Sequence, residues 1–407
     1  MASRNGTPRM LRYAHVVGWG KYVPERILSN EDLAAIVETN DEWIRQRTGI
    51  GERRIADEDE STTDLAFKAA QEALKVANIL PTDVDLIVVA TSTPEHIFPS
   101  TASLVQDRLG ANRAGAYDLS AACSGFVYAL DMAAAKVRTG DIDIALVIGA
   151  ETMSRLMNWT DRSTCILFGD GAGAVVVQGK SEPGGVLSST LRSDGAGWDL
   201  LGVPTVGSLD TYLPERSEIV LDNTGRHSYE MHRLHMNGRE VYKFATRVVS
   251  DSLRQVMTEA EITPDDIGLI VPHQANQRII DNIAKQLKIP EDRVYSNVAK
   301  YGNTSAASVP LALVEAIEQG RIKPGDYVAM TGFGGGLTWA SLVLQWDAVQ
   351  AEYSRVMDAR RRFIYRYAVT RRRVLRAWRR VVHLLSGSRA TPLDTIRRRF
   401  DDDDGDF

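Results

Sequence analysis

The chain has 407 residues, of which 44% are hydrophobic and 25% charged, a balance that buries a sizeable core as two subdomains or one large α/β unit. Two cysteines exclude a disulfide framework and suit a reducing compartment. No signal-peptide core opens the chain and no apolar run approaches the ~20 residues of a bilayer span, so a cytoplasmic location is expected.

The net charge of −5 hides an asymmetry. Residues 347–407 hold 15 arginines and 9 acidic residues, a balance of +6, which leaves 48 − 15 = 33 basic and 53 − 9 = 44 acidic residues in 1–346, or −11. An acidic body argues against nucleic acid as a partner.

Residues 1–13 read as a flexible N-terminus. From there the chain alternates short apolar strands with amphipathic helices, the α/β pattern. Strand-like runs are "DLIVVAT" (85–91), "IALVIGAE" (144–151), "AGAVVVQ" (172–178), "IGLIVPH" (267–273), "DYVAMTGF" (326–333) and "ASLVLQW" (340–346). Helical patterns cover 61–77, 125–140, 240–257 and 307–320. Residues 204–238 turn polar and read as a long surface loop between two halves.

The two halves echo each other. "DVDLIVVATSTPE" (83–95) resembles "DDIGLIVPHQANQ" (265–277), an offset near 183, and Cys123 with its helix matches Asn303 with its helix at an offset of 180. A period this long is no solenoid; it predicts two duplicated α/β halves, 14–180 and 181–346. Each of Cys123, His273 and Asn303 would follow a strand and open a helix, and a pseudo-dyad could bring the three turns together.

Cys123 lies in "YDLSAACSGFVYAL" (117–130) at a strand-to-helix junction. A helix N-terminus would stabilise its thiolate and lower its pKa, and the small neighbours leave room for a substrate. A buried packing cysteine is the competing reading. Cys165, in "RSTCILFGDGAGAVVV", reads as packing within a core strand. His273, in "VPHQANQRII", could donate to a carbonyl oxygen or take a proton, or be a satisfied structural histidine. Asn303, in "YGNTSAASVP", could equally be a helix cap. Glycines 332 and 334–336 in "GFGGGLTW" would let backbone amides face a ligand, but no Lys-Ser/Thr ending supports a phosphate loop. "HSYEMHRLH" (227–235) would put His232 and His235 on one helix face; nothing else there supports a metal.

Together the blocks "DEWIRQRTGI", "LSAACSGFVYAL", "FGDGAGAVV", "VPHQANQRII", "YGNTSAASVP" and "FGGGLTW" resemble, in collinear order from about Val16 to Trp346, the β-ketoacyl-acyl-carrier-protein synthase III family. The resemblance implies a thiolase-like fold in layered αβαβα order. It implies an acyltransferase that initiates fatty-acid synthesis by decarboxylating Claisen condensation of an acyl-CoA with malonyl-acyl-carrier protein. Cys123 would be the nucleophile, His273 and Asn303 the enolate-oxygen donors, and the N–H groups of Cys123 and Gly335 a second oxyanion hole. Trp43 and Arg162 would stack on the CoA adenine, with Thr39 and Arg47 in the same region. Gly238, Tyr242 and Asn276 would line the pantetheine channel, beside Arg239, where the family often has an Asn-like residue. Lys243 could meet the acidic carrier protein, and Phe98 would shape the acyl pocket at a homodimer contact. No cofactor is implied beyond the CoA thioester substrate.

Related readings keep the fold and change the acceptor, as in acyl transfer or condensation in specialised metabolism. Asn303 favours condensation, because acyl transfer alone needs no enolate donor. A degradative thiolase would carry a second reactive cysteine near Gly334–Gly336, and a non-catalytic scaffold would be expected to lack Cys123. Residues 347–407 fall outside the resemblance. There, Met357, Ile364, Tyr367, Val374, Trp378, Val381 and Leu385 recur at helical spacing among arginines, a basic amphipathic helix followed by the acidic "DDDDGDF". It could meet an anionic membrane surface, an acidic protein, another helix or the protein's own body.

Overall fold

The computed structural model describes residues 11–204, 219–221, 228–230, 232–348, 351–352 and 354–385. The first ten residues, most of the 204–238 loop with His227, and the acidic end lie outside the described residues.

The first half is built on five strands: β1 (Tyr13–Tyr22), β2 (Leu86–Ala90), β3 (Gly115–Leu119), β4 (Ile144–Thr152) and β5 (Asp170–Lys180). Their order is β1-β5-β4-β2-β3, with β2 parallel to both β3 and β4, and β5 antiparallel to β4 and β1. The second half adds β6 (Gly185–Ser193), β7 (Ile267–Pro272), β8 (Tyr327–Gly334) and β9 (Thr338–Gln345), in the order β7-β8-β9-β6. The longer helices are α1 (Asp41–Thr48), α2 (Thr62–Val76), α3 (Thr101–Leu109), α4 (Gly125–Thr139), α5 (Gly238–Glu259), α6 (Gln277–Leu287), α7 (Ser308–Glu318) and α8 (Arg355–Leu385).

The layers follow from burial. Strand β2 reads LIVVA and is buried at every position, because helices cover both faces of its sheet. Helices α4 and α7 lie between the sheets: Phe126, Leu130 and Val137 share one core with Val309, Leu313 and residues of both sheets. Outside the first sheet, Leu65, Ala69 and Ala73 of α2 pack with Val105 of α3. Outside the second, Val249 and Leu253 of α5 pack with Ile280 and Ile283 of α6. This is the αβαβα order of the thiolase-like fold.

The duplication is legible in the register. Ile87 pairs with Leu146 as Ile270 pairs with Ala329, so 270 − 87 = 329 − 146 = 183. At that offset the equivalent of Cys123 is Ala306, not Asn303. Each half turns into its central helix through a non-glycine residue of positive φ, Ala122 at 46° and Ser305 at 48°. Asn303 therefore stands three residues ahead of the Cys123 counterpart. The 180-residue match aligned chemistry rather than backbone.

Two strands carry weak sequence signals. In β1, Gly18 and Gly20 stand where a Cβ would run into the Ala73 and Ala69 carbonyls of α2, so they admit the helix closely and blunt the apolar pattern. In β6, buried Ser188 donates to the Val256 carbonyl at 2.7 Å, which hides a core-facing position behind a polar residue type.

Candidate active site

β3 ends at Leu119 and α4 begins at Gly125, so the chain reverses in a tight turn, Ala122–Ser124. Cys123 sits in that turn, 6% exposed. The second sheet comes unusually close to it. A Cβ on Gly334 would lie 2.7 Å from the Cys123 nitrogen, and one on Gly332 would lie 2.8 Å from the Ser124 Cα. The two glycines at the end of β8 thus allow the second sheet to approach the Cys123 turn closely.

The thiol is held by a polar chain. Cys123 Sγ lies 3.5 Å from Ser305 Oγ, and Ser305 Oγ donates to Glu151 Oε1 at 2.9 Å. Glu151 is fully buried at the end of β4 and also accepts from the Ser92 N–H at 3.0 Å and Thr93 Oγ1 at 2.6 Å. Burial pushes the Cys123 thiol up to about 12; the Ser305 hydroxyl opposes the shift and Glu151 reinforces it. The direction is opposite to the lowering expected from a helix N-terminus, with burial as the largest cause. Burial likewise raises Glu151.

His273 follows β7, and its N–H donates to the Thr331 carbonyl at 2.7 Å. Its ring packs edge-on against Phe333, with centroids 5.1 Å apart. Burial pulls the imidazole down to about 3, so it is neutral at physiological pH. Its Nδ1 has no hydrogen-bond partner among the described residues. Asn303 is fixed by its N–H to the Leu167 carbonyl at 2.8 Å, while its carbonyl accepts from Gly169 at 3.0 Å. Its Oδ1 accepts from the Ser305 N–H at 2.8 Å, which leaves the side-chain NH₂ for the cavity.

Cys123, His273, Asn303 and Gly335 line one cavity of about 1560 Å³. Trp43, Arg47, Arg162, Gly238, Arg239, Tyr242, Lys243 and Asn276 line the same cavity. Towards its mouth the Trp43 ring carries the guanidinium of Arg162 at 5.0 Å and that of Arg47 at 5.5 Å. Arg162 Nη1 also donates to the Glu38 carbonyl at 2.8 Å. Asn276 caps α6 and donates from Nδ2 to the Arg47 carbonyl at 3.1 Å, tying α1 to α6. Arg278 stacks on Tyr242 at 5.4 Å, and Lys243 pairs with Glu240 at 2.7 Å. Thr39 and Phe98 do not line the cavity: Thr39 precedes the α1 cap, and Phe98 is 84% exposed beyond Ile97.

Other expectations are corrected. Cys165 is fully buried but lies in a turn after Asp161, its N–H bonded to the Asp161 carbonyl at 3.0 Å, so it packs without being in a strand. His232 has a positive φ and His235 belongs to the short strand His235–Met236, so they share no helix face. No group of three metal-ligating side chains occurs among the described residues. Sequence reasoning passed over Ser305 and Glu151. Their signals were present: a carboxylate ending the apolar strand "IALVIGAE", and a hydroxyl two residues after Asn303 in "YGNTSAASVP".

Residues 117–195 match the family described as 3-oxoacyl-[acyl-carrier-protein] synthase III, and residues 257–346 match its C-terminal region. A β-ketoacyl-[acyl-carrier-protein] synthase III of Roseiflexus sp. strain RS-1 is 49% identical over 339 residues, 83% of this chain and all of that protein. The solved β-ketoacyl-[acyl-carrier-protein] synthase III of Thermus thermophilus is 47% identical with a TM-score of 0.75, over 82% of this chain and all of that one. The priming β-ketosynthase of the R1128 polyketide pathway is 36% identical with a TM-score of 0.76, over 84% of this chain and 99% of that one.

Proposed function

The chain belongs to the β-ketoacyl-acyl-carrier-protein synthase III family, and from that membership we propose that its cavity condenses an acyl-CoA with malonyl-acyl-carrier protein through an acyl-enzyme on Cys123. One observation carries this assignment of roles. A buried thiol, a neutral imidazole and an oriented carboxamide, drawn from three turns of two half-folds, face one cavity that opens past an arginine-flanked tryptophan.

Loading begins when the thioester carbonyl reaches Cys123. Because burial holds the resting thiol protonated, its proton must leave as sulfur attacks, and the His273 ring that lines the same cavity would take it. Sulfur bonds to the acyl carbon, the C–S bond to CoA breaks, and CoA leaves with a proton. The N–H groups of Cys123 and Gly335 hold the oxygen on which charge develops. CoA is a substrate here: Trp43 and Arg162 would part to take the adenine, with Arg47 beside them and Gly238, Tyr242 and Asn276 along the pantetheine arm.

Malonyl-carrier protein then fills the vacated arm. Its C–CO₂ bond breaks, carbon dioxide leaves, and the electron pair becomes a thioester enolate. His273, its proton returned with CoA, and the Asn303 NH₂ donate to the enolate oxygen. The enolate carbon attacks the Cys123 acyl carbon, the C–S bond breaks, 3-ketoacyl-carrier protein forms, and the departing thiolate takes up a proton from solvent to restore the resting thiol. Splitting the condensation at a covalent intermediate replaces one difficult step by two easier ones.

A homodimer completes this reading. β3 is the edge strand of the first sheet, and Phe98 is left exposed, where a second copy would cover it and place it over an acyl pocket. A second reading keeps the chemistry and assigns it to priming of a specialised pathway, favoured by the polyketide relative above. Purified protein with acyl-CoAs of increasing length and malonyl-carrier protein tests both. The expected outcome is 3-ketoacyl-carrier protein from wild type and none from Cys123→Ala; no product from the wild type would overturn the assignment.

A further inference from the structure

This chain's match to the family ends at residue 346, and beyond it lies a helix of 31 residues, α8. One face of α8 is spent on the body. Arg361 is 2% exposed and reaches Asn78 Oδ1 at 3.4 Å, Tyr365 packs edge-on against Phe67 at 6.1 Å, and Arg372 pairs with Asp107 at 2.9 Å. Ala368 and Ile364 close over Gly110, where a Cβ would come within 2.9 Å of the Ile364 side chain. The seam read from the sequence is therefore divided. Met357 and Ile364 turn partly to the body, while Tyr367, Val374, Trp378 and Val381 stay exposed.

A second row is left outward. Val356, Phe363, Tyr367, Val374, Trp378 and Val381 are each at least half exposed. At about 100° per residue they fall within an arc of about 60°, turned well away from the packed face, and the row runs about 38 Å along the helix. Arginines edge it on both sides, Arg360 and Arg371 along one, Arg366 and Arg373 along the other. From 355 to 385 there are 11 arginines and a single acidic residue, Asp358. Arg360, Arg366 and Arg373 have no acidic partner among the described residues.

We propose that α8 is an in-plane membrane helix that seats this enzyme on an anionic lipid bilayer, with the Val356–Val381 row in the acyl boundary and the flanking arginines on lipid phosphates. Charge decides the occupant. A second copy of α8 would bring two arginine-edged rows together and repel itself. A flat anionic surface instead meets the row and both edges along its whole length, and the arginine stems lie on the apolar zone while their heads reach phosphate. Among the described residues no helix is long and apolar enough to cross a membrane, so the helix lies on the surface rather than spanning.

The test is co-sedimentation of the full chain with phosphatidylcholine vesicles containing about 30% phosphatidylglycerol, against pure phosphatidylcholine. Binding is expected on the anionic vesicles, weakened by salt, and at least about tenfold weaker on neutral ones. Phe363→Ser/Trp378→Ser and Arg366→Glu/Arg373→Glu should each lose about tenfold or more while acyl loading from acyl-CoA is unchanged. Val369→Ser, exposed but off the row, should bind like wild type. No preference for anionic vesicles, or binding indifferent to both double variants, would overturn the proposal. So would a row-dependent complex with purified acyl-carrier protein in the absence of vesicle binding.

Discussion

At the scale of residues, the candidate site is defined by what burial does to its groups. A thiol pushed up to about 12 is almost wholly protonated at neutral pH, so its thiolate fraction rises with pH throughout the accessible range. Alkylation of Cys123 by a neutral reagent such as iodoacetamide should therefore accelerate about tenfold per pH unit from roughly pH 7 to 9 without levelling off. A plateau below about pH 8 would mean that the helix field wins over desolvation. Ser305 is the immediate partner of the sulfur and of Glu151. Ser305→Ala is expected to slow acyl loading by roughly five- to tenfold and to destabilise the fold by about 1 kcal/mol, since Glu151 loses a donor; stopped-flow loading and urea titration check the two effects. Cys123, His273 and Asn303 were legible because their motifs resemble a family's. Ser305 and Glu151 were not, because a lone hydroxyl or carboxylate acquires meaning only from what the fold sets against it.

Among the elements, the interface between halves is made by backbone rather than by large side chains. Gly149 of β4 faces the Ala306 carbonyl so closely that any Cβ would run into it, and Gly173 of β5 stands 2.7 Å, at its Cβ position, from the Pro310 backbone. These glycines bring α7 and the Ser305 turn down onto the first sheet. Gly149→Ala should cost about 1–3 kcal/mol in the denaturant midpoint, and should also slow acyl loading by displacing Ser305. Unchanged loading at reduced stability would separate the packing role from the site. Apolar runs such as LIVVA were readable as strands because both faces are buried. β1 and β6 escaped notice because close approach demanded glycine in one and a buried hydrogen bond demanded serine in the other. Helix α8 was readable as amphipathic, yet its division into a packed and an outward face depends on Gly110 and Asp107, which no local pattern announces.

For the whole molecule, duplication explains why the site lies where it does. Two sheets with matched register back the same pair of central helices, and the turns that open those helices meet at the centre. One turn carries Cys123; the other carries Ser305, with Asn303 just ahead of it. The repeat was visible in the sequence as an offset near 183, but the equivalence of Cys123 with Ala306 needed strand pairing to fix it. On the proposed mechanism the acyl group passes through Cys123 and not the other buried thiol, Cys165. Incubation with acyl-CoA followed by peptide mass mapping tests it most directly. One acyl adduct is predicted on the peptide carrying Cys123, absent from Cys123→Ala; an adduct on Cys165, or one that survives in Cys123→Ala, would contradict the account.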